Sequence, residues 1–117
     1  GITQKVEPVS RNDYAASVAV DRYFTSLYIR ARESYNFSIL SYNYNIVRLM
    51  STAEVFNAFS RSVSVNNENS LANQLGSMGQ RDVRIRSLDY IQNPRLTNQP
   101  TERTPTKIMQ ALITFTP

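Results

Sequence analysis

The sequence contains no histidine and no cysteine. Without histidine, the chain cannot use an imidazole as a general base, build a Ser-His-Asp triad or bind a metal through an imidazole nitrogen. Without cysteine, it has no disulfide, no thiolate metal site and no cysteine nucleophile, although both a reducing and an oxidising compartment remain possible. These two absences exclude most hydrolase mechanisms.

Glycine is almost as scarce, because the sequence has only Gly1, Gly76 and Gly79. Three isolated glycines exclude the glycine-rich loops that hold nucleotide phosphates. The acidic residues offer no shared catalytic site, since no two of them lie two to four residues apart. We therefore expect a protein that is not an enzyme and that uses no cofactor, no metal and no small-molecule substrate.

Long hydrophobic runs are also missing. No apolar stretch approaches the roughly 18 to 20 residues that span a bilayer, because Asn, Ser and Arg interrupt each one. A length of 117 residues is typical of a single domain with one hydrophobic core. Pro8 and a lack of periodicity mark the beginning of the chain, so we expect residues 1–12 to be a linker or tag remnant. Residues 13–117 are expected to form one domain.

The net charge is +4, and arginine provides 11 of the 13 basic residues. Such a balance could suit an anionic partner. Many of the arginines, however, have an acidic residue nearby in the sequence, as Arg22 follows Asp21 and Arg32 precedes Glu33. A mixed, solvated surface is therefore the simpler interpretation.

An amphipathic helix is predicted from about residue 13 to residue 33. Its apolar residues recur at the three- and four-residue steps of one helical face. That face consists of Val20, Tyr23, Phe24, Leu27, Tyr28 and Ala31. Asn12 and Asp13 can cap the first turn. We expect the apolar face to pack and the opposite face to stay in water.

Two further helices are predicted. In Tyr35–Met50, apolar residues again fall three and four residues apart, which indicates a second, shorter helix. The segment Ser51-Thr52-Ala53-Glu54 has the form of a capping box, with Ser51 as the cap and Glu54 reaching back, so a third helix should follow. The polar run 66–70 is typical of a solvated loop.

A strand is predicted at residues 82–91, where the sequence alternates with Val83 and Ile85 on one face and arginines on the other. The alternation slips after Ser87, which indicates a bulge or a strand end. Residues 92–106 contain three prolines and are expected to form a long irregular connection.

A second strand is predicted from Lys107 to Thr116. One of its faces carries Met109, Ala111, Ile113 and Phe115. Helices followed by strands favour an α+β domain. Because two strands alone make a marginal sheet, we expect either further strands beyond Pro117 or a second chain to complete it, and we favour further strands.

The densest group of polar and aromatic residues lies where the long helix ends, and it is the candidate protein interface. The candidate residues are Arg30, Arg32, Glu33 and Tyr35, with Arg84 and Arg86 on the wet face of the strand as a weaker second patch. The simpler interpretation of the first group is a set of local ion pairs at a helix end, which contribute little when exposed.

Binding of single-stranded nucleic acid is an alternative function, because stacked aromatic rings beside positive charges are typical of such binding. The candidate residues are Tyr35, Phe37, Tyr42, Tyr44, Arg30, Arg32 and Arg48. Several of these rings occupy positions assigned to the core, which favours a structural role for them. Nucleic acid is therefore the less favoured partner.

Four stretches, taken in order, resemble the VirB-eight-like family of inner-membrane assembly factors of type IV secretion systems. They are Tyr28-Ile29-Arg30-Ala31-Arg32-Glu33-Ser34-Tyr35-Asn36, Tyr44-Asn45-Ile46-Val47-Arg48-Leu49-Met50-Ser51, Val83-Arg84-Ile85-Arg86-Ser87-Leu88 and Ala111-Leu112-Ile113-Thr114-Phe115. The order of the elements carries the resemblance, which spans residues 13–116. Asn93-Pro94-Arg95-Leu96 departs from the family's Asn-Pro-x-Gly turn, because it lies too early and has Leu96 where glycine belongs.

The resemblance implies a nuclear-transport-factor-two-like (NTF2-like) fold, in which helices pack against the concave face of a curved antiparallel sheet. It also implies a periplasmic domain that an upstream segment anchors to the bacterial inner membrane. Such a domain would form weak homodimers and contact other secretion-channel subunits, as a scaffold for protein transport or conjugation. The family continues with further strands, so we expect the domain to be incomplete at its C-terminus.

Overall fold

The computed structural model describes the backbone of residues 11–91 and 107–117, and the side chains of those ranges from residue 16 onward. The helices are α1 (Arg11–Glu33), α2 (Leu40–Met50), α3 (Ala53–Val63) and α4 (Leu71–Leu75), and the strands are β1 (Tyr35–Asn36), β2 (Gln80–Tyr90) and β3 (Met109–Thr116). Most of the predicted linker and the predicted connection 92–106 lie outside the described residues.

Helix α1 confirms the prediction of a long helix that ends at Glu33, and it begins two residues earlier than expected, at Arg11. It ends where the Ser34 amide donates to the Arg30 carbonyl at 3.0 Å and the chain becomes extended. Although α1 has 23 residues, neither it nor another helix of the described ranges is apolar enough over its length to cross a membrane.

The N-terminal half of the apolar face of α1 does not pack as predicted. Val20 and Phe24 are about half exposed, and Tyr23 is 65% exposed. The core residues of α2 and α3 contact only the C-terminal half of α1, where Tyr28 and Ala31 lie, so they do not cover the first half of the apolar face. The expectation that the whole face packs is therefore wrong for its first half.

The hydrophobic core lies among the first three helices. Ala31 of α1, Val47 of α2 and Phe59 of α3 are its buried residues, and Val47 has no exposed surface at all. Half-buried side chains complete the cluster around them. These are Tyr28, Ile46, Phe56 and Val63. The three predicted helical patterns thus converge on one small core.

Helix α2 is shorter than predicted. Strand β1 and a single 3-10 turn, Phe37–Ile39, occupy its predicted start, and α2 begins only at Leu40. Asn36 has extended dihedral angles (φ −149°, ψ 117°), and its side chain accepts a hydrogen bond from the Ser38 amide at 3.0 Å. Because asparagine favours such local caps over helix interiors, the predicted helix is wrong in its first turn.

Thr52, rather than the predicted Ser51, caps α3. The Thr52 hydroxyl accepts from the Val55 amide at 3.3 Å, whereas the Ser51 hydroxyl donates to the Tyr28 hydroxyl at 3.2 Å. The N-cap therefore lies one residue later than predicted, and the predicted capping box is wrong, because Val55 occupies the third helical position and cannot bond back to the cap. Turns follow α3 as expected, but Ser70 then caps the short helix α4, which the sequence analysis did not predict.

The three strands form an antiparallel sheet in the order β1-β2-β3. Ile85 pairs with Ile113, and the register then shifts so that Leu88 pairs with Ala111. Arg86 is the extra residue, which confirms the predicted slip in the alternation and places it slightly earlier. Because of this bulge, the apolar residues before and after it face the same side of the sheet.

The inner face of the β2–β3 ribbon carries the predicted apolar residues of both strands. They are Val83, Ile85, Leu88, Tyr90, Met109, Ala111, Ile113 and Phe115. All of them are partly buried except Phe115, which is about half exposed. Helices packed on one side of an antiparallel sheet confirm the α+β prediction.

Arg81 of β2 joins the sheet to the end of α1. Its guanidinium donates twice to the Glu33 carbonyl, at 2.9 and 2.6 Å, and lies 3.9 Å from the centroid of the Phe115 ring. The last carbonyl groups of a helix lack partners within the helix and carry partial negative charge. A cation at this position therefore satisfies and stabilises the C-terminus of α1.

A second joint links the middle of α1 to the other end of the ribbon. The Asp21 carboxylate accepts hydrogen bonds from the Tyr90 hydroxyl and from the Lys107 ammonium, the latter at 3.0 Å. The neighbouring Arg22 pairs with Asp89 at 3.1 Å. Helix α1 is thus attached to the sheet at two separate points.

Replacement of Val47 by alanine tests the small core. Because the valine is fully buried, we expect Val47→Ala to lower the free energy of unfolding by about 2 kcal/mol, from lost burial and the cavity left behind. Val65→Ala is the matched control, since Val65 is 75% exposed, and it should change stability by less than about 0.5 kcal/mol. Urea denaturation measures both. Equal losses in the two variants would contradict the position of the core.

Removal of the charge of Asp21 tests the second joint. Hydrogen bonds from Tyr90 and then from Lys107 lower the pKa of the Asp21 carboxyl below its usual value. A carboxyl whose pKa is lower in the folded state stabilises the protein above its unfolded pKa, and this stability is lost as the pH falls through the folded pKa. We therefore expect Asp21→Asn to lower the urea midpoint at pH 7 and to flatten its fall below about pH 4.

Asp82→Asn is the control for this measurement. Asp82 lies on the exposed face of β2, and within the described ranges its carboxylate accepts only from the Gln80 side chain, at 3.4 Å. The urea midpoint of this variant should follow that of the unchanged protein across the pH range. If Asp21→Asn follows it too, the joint does not contribute to stability.

Candidate protein-interaction site

Arg30 is the one residue of the predicted helix-end group whose side chain is exposed and makes no hydrogen bond or ion pair within the part of the chain that the structure describes. Its backbone carbonyl accepts from the amide and the hydroxyl of Ser34. The side chain itself therefore remains available to a partner.

Arg32, by contrast, packs into the helical body. Its guanidinium donates to the Tyr28 hydroxyl at 2.7 Å and lies 5.9 Å from the centroid of the Tyr28 ring and 5.6 Å from that of Phe59. The Nε atom lies 3.7 Å from the Glu33 carboxylate. Cation–π contacts of this kind hold α1 against α3. Arg32 thus has a structural role in addition to any surface role.

Glu33 and Tyr35 are also engaged inside the domain. The Glu33 carboxylate lies 3.7 Å from the Arg81 guanidinium, which also donates to the Glu33 backbone carbonyl. Tyr35 is only 3% exposed, because pairing of β1 with β2 turns its ring inward, and its hydroxyl donates to the Gly76 carbonyl at 2.5 Å. Tyr35 therefore does not belong to the surface group in which the sequence analysis placed it.

The second predicted patch lies where the alternation places it, on the exposed face of β2. Arg84 is exposed, and the Nε of Arg86 donates to the Thr114 hydroxyl at 3.4 Å. Asp82 and Asp89 lie on the same face, before and after the two arginines. The patch is therefore mixed in charge rather than strongly positive.

The structure separates the aromatic residues that suggested nucleic-acid binding. Tyr44 packs edge-on against Phe56, with ring centroids 5.1 Å apart, and its hydroxyl bonds to that of Ser60 at 2.8 Å. Phe37 and Tyr42 are exposed, but Tyr35 and Arg32 are held in the body. These residues do not form one stacking surface, so no observation favours this alternative.

The largest departure from the sequence analysis is the exposed apolar patch on the first half of α1. We define the α1 patch as Val20, Tyr23 and Phe24. The two rings meet edge to face with centroids 5.2 Å apart and an interplanar angle of 77°. The periodicity of α1 is the same in its packed and unpacked halves, so the sequence carried no signal that would distinguish them.

The described residues contain no group of three or more His, Cys, Asp or Glu side chains that could hold a metal ion. The carboxylates of Asp21 and Glu33 instead form ion pairs with Lys107 and Arg81, which connect α1 to the sheet region. The arrangement offers surfaces for contact with another protein.

Comparison with known proteins identifies the family. The family model described as VirB8 protein matches residues 1–117. A relative named type IV secretion system protein virB8, from Bartonella quintana, is 32% identical over 91 residues, which is 78% of this chain and 38% of the relative. A second protein of the same name, from Bartonella henselae, is 32% identical over 98 residues, which is 79% of this chain and 41% of the relative. The chain thus spans about two fifths of the length of these relatives.

Solved structures are similar in fold. The Agrobacterium tumefaciens VirB8 protein aligns with a TM-score of 0.61 and 26% identity, over 63% of this chain and 51% of that one. The soluble domain of TrwG from Bartonella grahamii aligns with a TM-score of 0.55 and 28% identity, over 61% of this chain and 50% of that one. These neighbours confirm the predicted NTF2-like fold. On the match of the family model to the whole chain, supported by these relatives, the chain belongs to the VirB8 family.

Proposed function

We propose that this chain is a non-enzymatic structural component of a type IV secretion system and that it works through contacts with itself and with other channel subunits. Its membership of the VirB8 family supports the secretion system, because its relatives are named type IV secretion system proteins. The observation that carries the contact role is the α1 patch, an aromatic surface left uncovered on a helix whose other half is packed.

The α1 patch has the chemistry of a protein interface. Aromatic residues are enriched in the centres of interfaces, and contiguous exposed apolar surface is typical of contact sites. The patch continues the line of residues that packs against the core through Tyr28 and Ala31. If a second copy packed its own α1 alongside this one, the same side chains of both copies would cover each other. Use of one surface by both partners is the property of a twofold homodimer.

Two polar surfaces are the proposed sites for other channel subunits. The first is Arg30, the exposed member of the helix-end group, and the second is the face that carries Arg84 and Arg86. Exposed charges of this kind favour the specificity and rate of encounter more than affinity. We therefore assign recognition to these arginines and the greater part of the binding free energy to the α1 patch.

The proposed location is the periplasm, with an upstream segment as the anchor in the bacterial inner membrane. The chain would act as one assembly domain over residues 13–117, with further strands completing its sheet. Support for this arrangement comes from the family, whose fold this chain shares. The system could move protein or, in conjugation, DNA.

The α1 patch is tested by Tyr23→Glu. A charge placed in a buried apolar interface is strongly unfavourable, so we expect this variant to reduce self-association by at least about tenfold and to reduce secretion by the host system. Sedimentation velocity measures the first effect, and complementation of a strain that lacks the gene measures the second. Thermal unfolding should show a folded domain, because Tyr23 is outside the core.

Tyr42→Glu is a closely matched control, since Tyr42 is 63% exposed and Tyr23 is 65% exposed. Both variants replace an exposed helical tyrosine by the same charge, but Tyr42 lies on α2 and is not part of the α1 patch. The control should self-associate and secrete as the unchanged protein does. If the two variants behave alike in both assays, the α1 patch is not the contact surface.

Charge reversal at the end of α1 should separate surface effects from folding effects. Because Arg32 contacts the rings of Tyr28 and Phe59, Arg32→Glu is expected to lower the free energy of unfolding by about 1 to 2 kcal/mol. Arg30→Glu, two residues earlier on the same helix, should change it by less than about 0.5 kcal/mol and should impair secretion if Arg30 meets a partner. Equal stability of the two variants, measured in urea, would contradict the packing role of Arg32.

A further inference from the structure

A hollow of about 320 Å³ lies on the β2–β3 ribbon, immediately after the bulge at Arg86. Its lining includes Ser87 and Asp89 of β2 and Gln110 and Leu112 of β3, which are all exposed residues of the outer face. The outer face is the side of the ribbon that points away from the helices. The alternation of β2 predicted the arginines of this face but not the hollow, because the hollow depends on how the two strands pair.

Leu112 gives the hollow an apolar wall. Its side chain is 62% exposed, and it lies opposite Ser87, which is too small to cover it. Its neighbours along the outer face of β3 are the polar residues Gln110 and Thr114. A single exposed leucine is ordinary on a protein surface, so the meaning of the hollow depends on the charges next to it.

Arg84 and Arg86 supply these charges. Within the described ranges, Arg84 makes no side-chain hydrogen bond or ion pair, and Arg86 uses only its Nε, which donates to the Thr114 hydroxyl at 3.4 Å. The terminal N–H groups of both guanidinium groups are therefore available, and such groups bind carboxylates through strong, paired hydrogen bonds. Asp89 does not compete for them, since it pairs with Arg22 of α1 at 3.1 Å.

The spacing on this face fits an extended peptide with an acidic side chain two residues from an apolar one. Leu112 and Thr114 are two residues apart on β3, and Thr114 lies opposite Arg84, so this arginine lies roughly 7 Å along the strand from the hollow. Alternate side chains of an extended chain have the same spacing and point to the same side. A nucleic acid fits less well, because its continuous negative charge would also meet Asp82 on this face.

We propose that the outer face of the β2–β3 ribbon binds an extended acidic segment of a partner protein. An apolar side chain of the segment occupies the hollow beside Leu112, and a carboxylate two residues away accepts hydrogen bonds from Arg84 and Arg86. The proposal rests on the proposed assembly role, because it gives one partner contact of that role a specific chemistry. It is independent of the α1 patch, which lies on a different element.

A nuclear magnetic resonance titration of the ¹⁵N-labelled 117-residue chain tests the proposal. The probe is the peptide acetyl-Leu-Ser-Asp-Ser-Leu-amide, which presents a leucine two residues from its acid in either chain direction. We expect it to shift the backbone amide signals of Ser87 and Leu112 and the Nε signals of Arg84 and Arg86, with a dissociation constant on the order of a millimolar. The absence of these shifts would overturn the proposal.

Three further probes test the chemistry on the unchanged protein. A peptide with asparagine in place of the aspartate should bind at least about threefold more weakly, because it lacks the charge. A peptide with serine in place of both leucines should weaken by a similar factor, because it leaves the hollow empty. Equal binding of either peptide and the probe would overturn the proposal. Tighter binding of a short single strand of thymidylate at this face, at the same salt concentration, would overturn it in favour of nucleic acid.

A double variant tests the two arginines. Arg84→Gln with Arg86→Gln should bind the aspartate and asparagine peptides equally, because both carboxylate partners are gone. Arg48→Gln with Arg61→Gln is the matched control, since it removes the same charge from exposed residues of α2 and α3. The control should keep the preference for aspartate. If it loses that preference to the same extent, the net charge of the chain attracts the peptide and the proposal is wrong.

Leu112→Ser tests the hollow in the same way. This variant should bind the leucine and serine peptides equally. Leu49→Ser is the control, because Leu49 is an exposed leucine of α2, at 71% against 62% for Leu112, and it should keep the preference for leucine. Equal behaviour of the two variants would contradict a role for the hollow.

The outcome is distinguishable from that of the proposed function. If secretion depends on Tyr23 but the acidic peptide does not bind beside Leu112, only the inference about the outer face is wrong. If the peptide binds there while Tyr23→Glu secretes and self-associates normally, the α1 patch fails and the outer-face site stands.

Discussion

Val47 has no exposed surface, and it lies where α1, α2 and α3 meet. The helical half of the domain depends on this contact, because Ala31 and Phe59 are the other two buried residues of the cluster. Three buried side chains are a small core for three helices. Polar contacts at its edge, such as Arg32 over the Phe59 ring and Ser51 to the Tyr28 hydroxyl, complete the packing.

Hydrogen bonds and ion pairs tie the sheet to α1, and among the described residues the buried core cluster contains helix residues and no strand residue. Arg81 reaches the terminal carbonyl of α1, and Asp21 and Arg22 reach the other end of the ribbon. The inner face of the ribbon is only partly buried within the described ranges. Charged residues whose mixed pattern predicted a solvated surface, such as Asp21 and Arg22, are therefore in part the connections between the two halves of the fold.

Periodicity predicted the elements whose signal is local. The long helix, the alternation of Val83 and Ile85, and the slip in register near Ser87 all follow from the order of side chains along one segment, and each is confirmed. The predicted start of α2 is wrong because a single side-chain cap at Asn36 outweighs the helical spacing of the apolar residues. The backbone amide of Ser38, two residues later, donates this hydrogen bond, and the spacing of the apolar residues gives no sign of it.

The candidate site was harder to predict, because exposure is a property of the assembled domain. Arg30 and Arg32 differ by two positions and are the same residue type, yet one faces solvent and the other covers two aromatic rings. The two halves of the apolar face of α1 likewise share one residue spacing and differ only in whether α2 and α3 pack against them. A single sequence contains no local feature that separates such pairs.

The extra residue at Arg86 has a consequence for how this ribbon can change in evolution. Loss of that one residue would join Ile85 directly to Ser87 and restore a regular alternation, with Leu88 and Tyr90 still on the inner face. Loss of a residue elsewhere in β2 would move the apolar side chains on one side of the deletion to the solvent-facing side of the sheet. Position 86 is therefore where related proteins can differ in length by one without rebuilding the sheet.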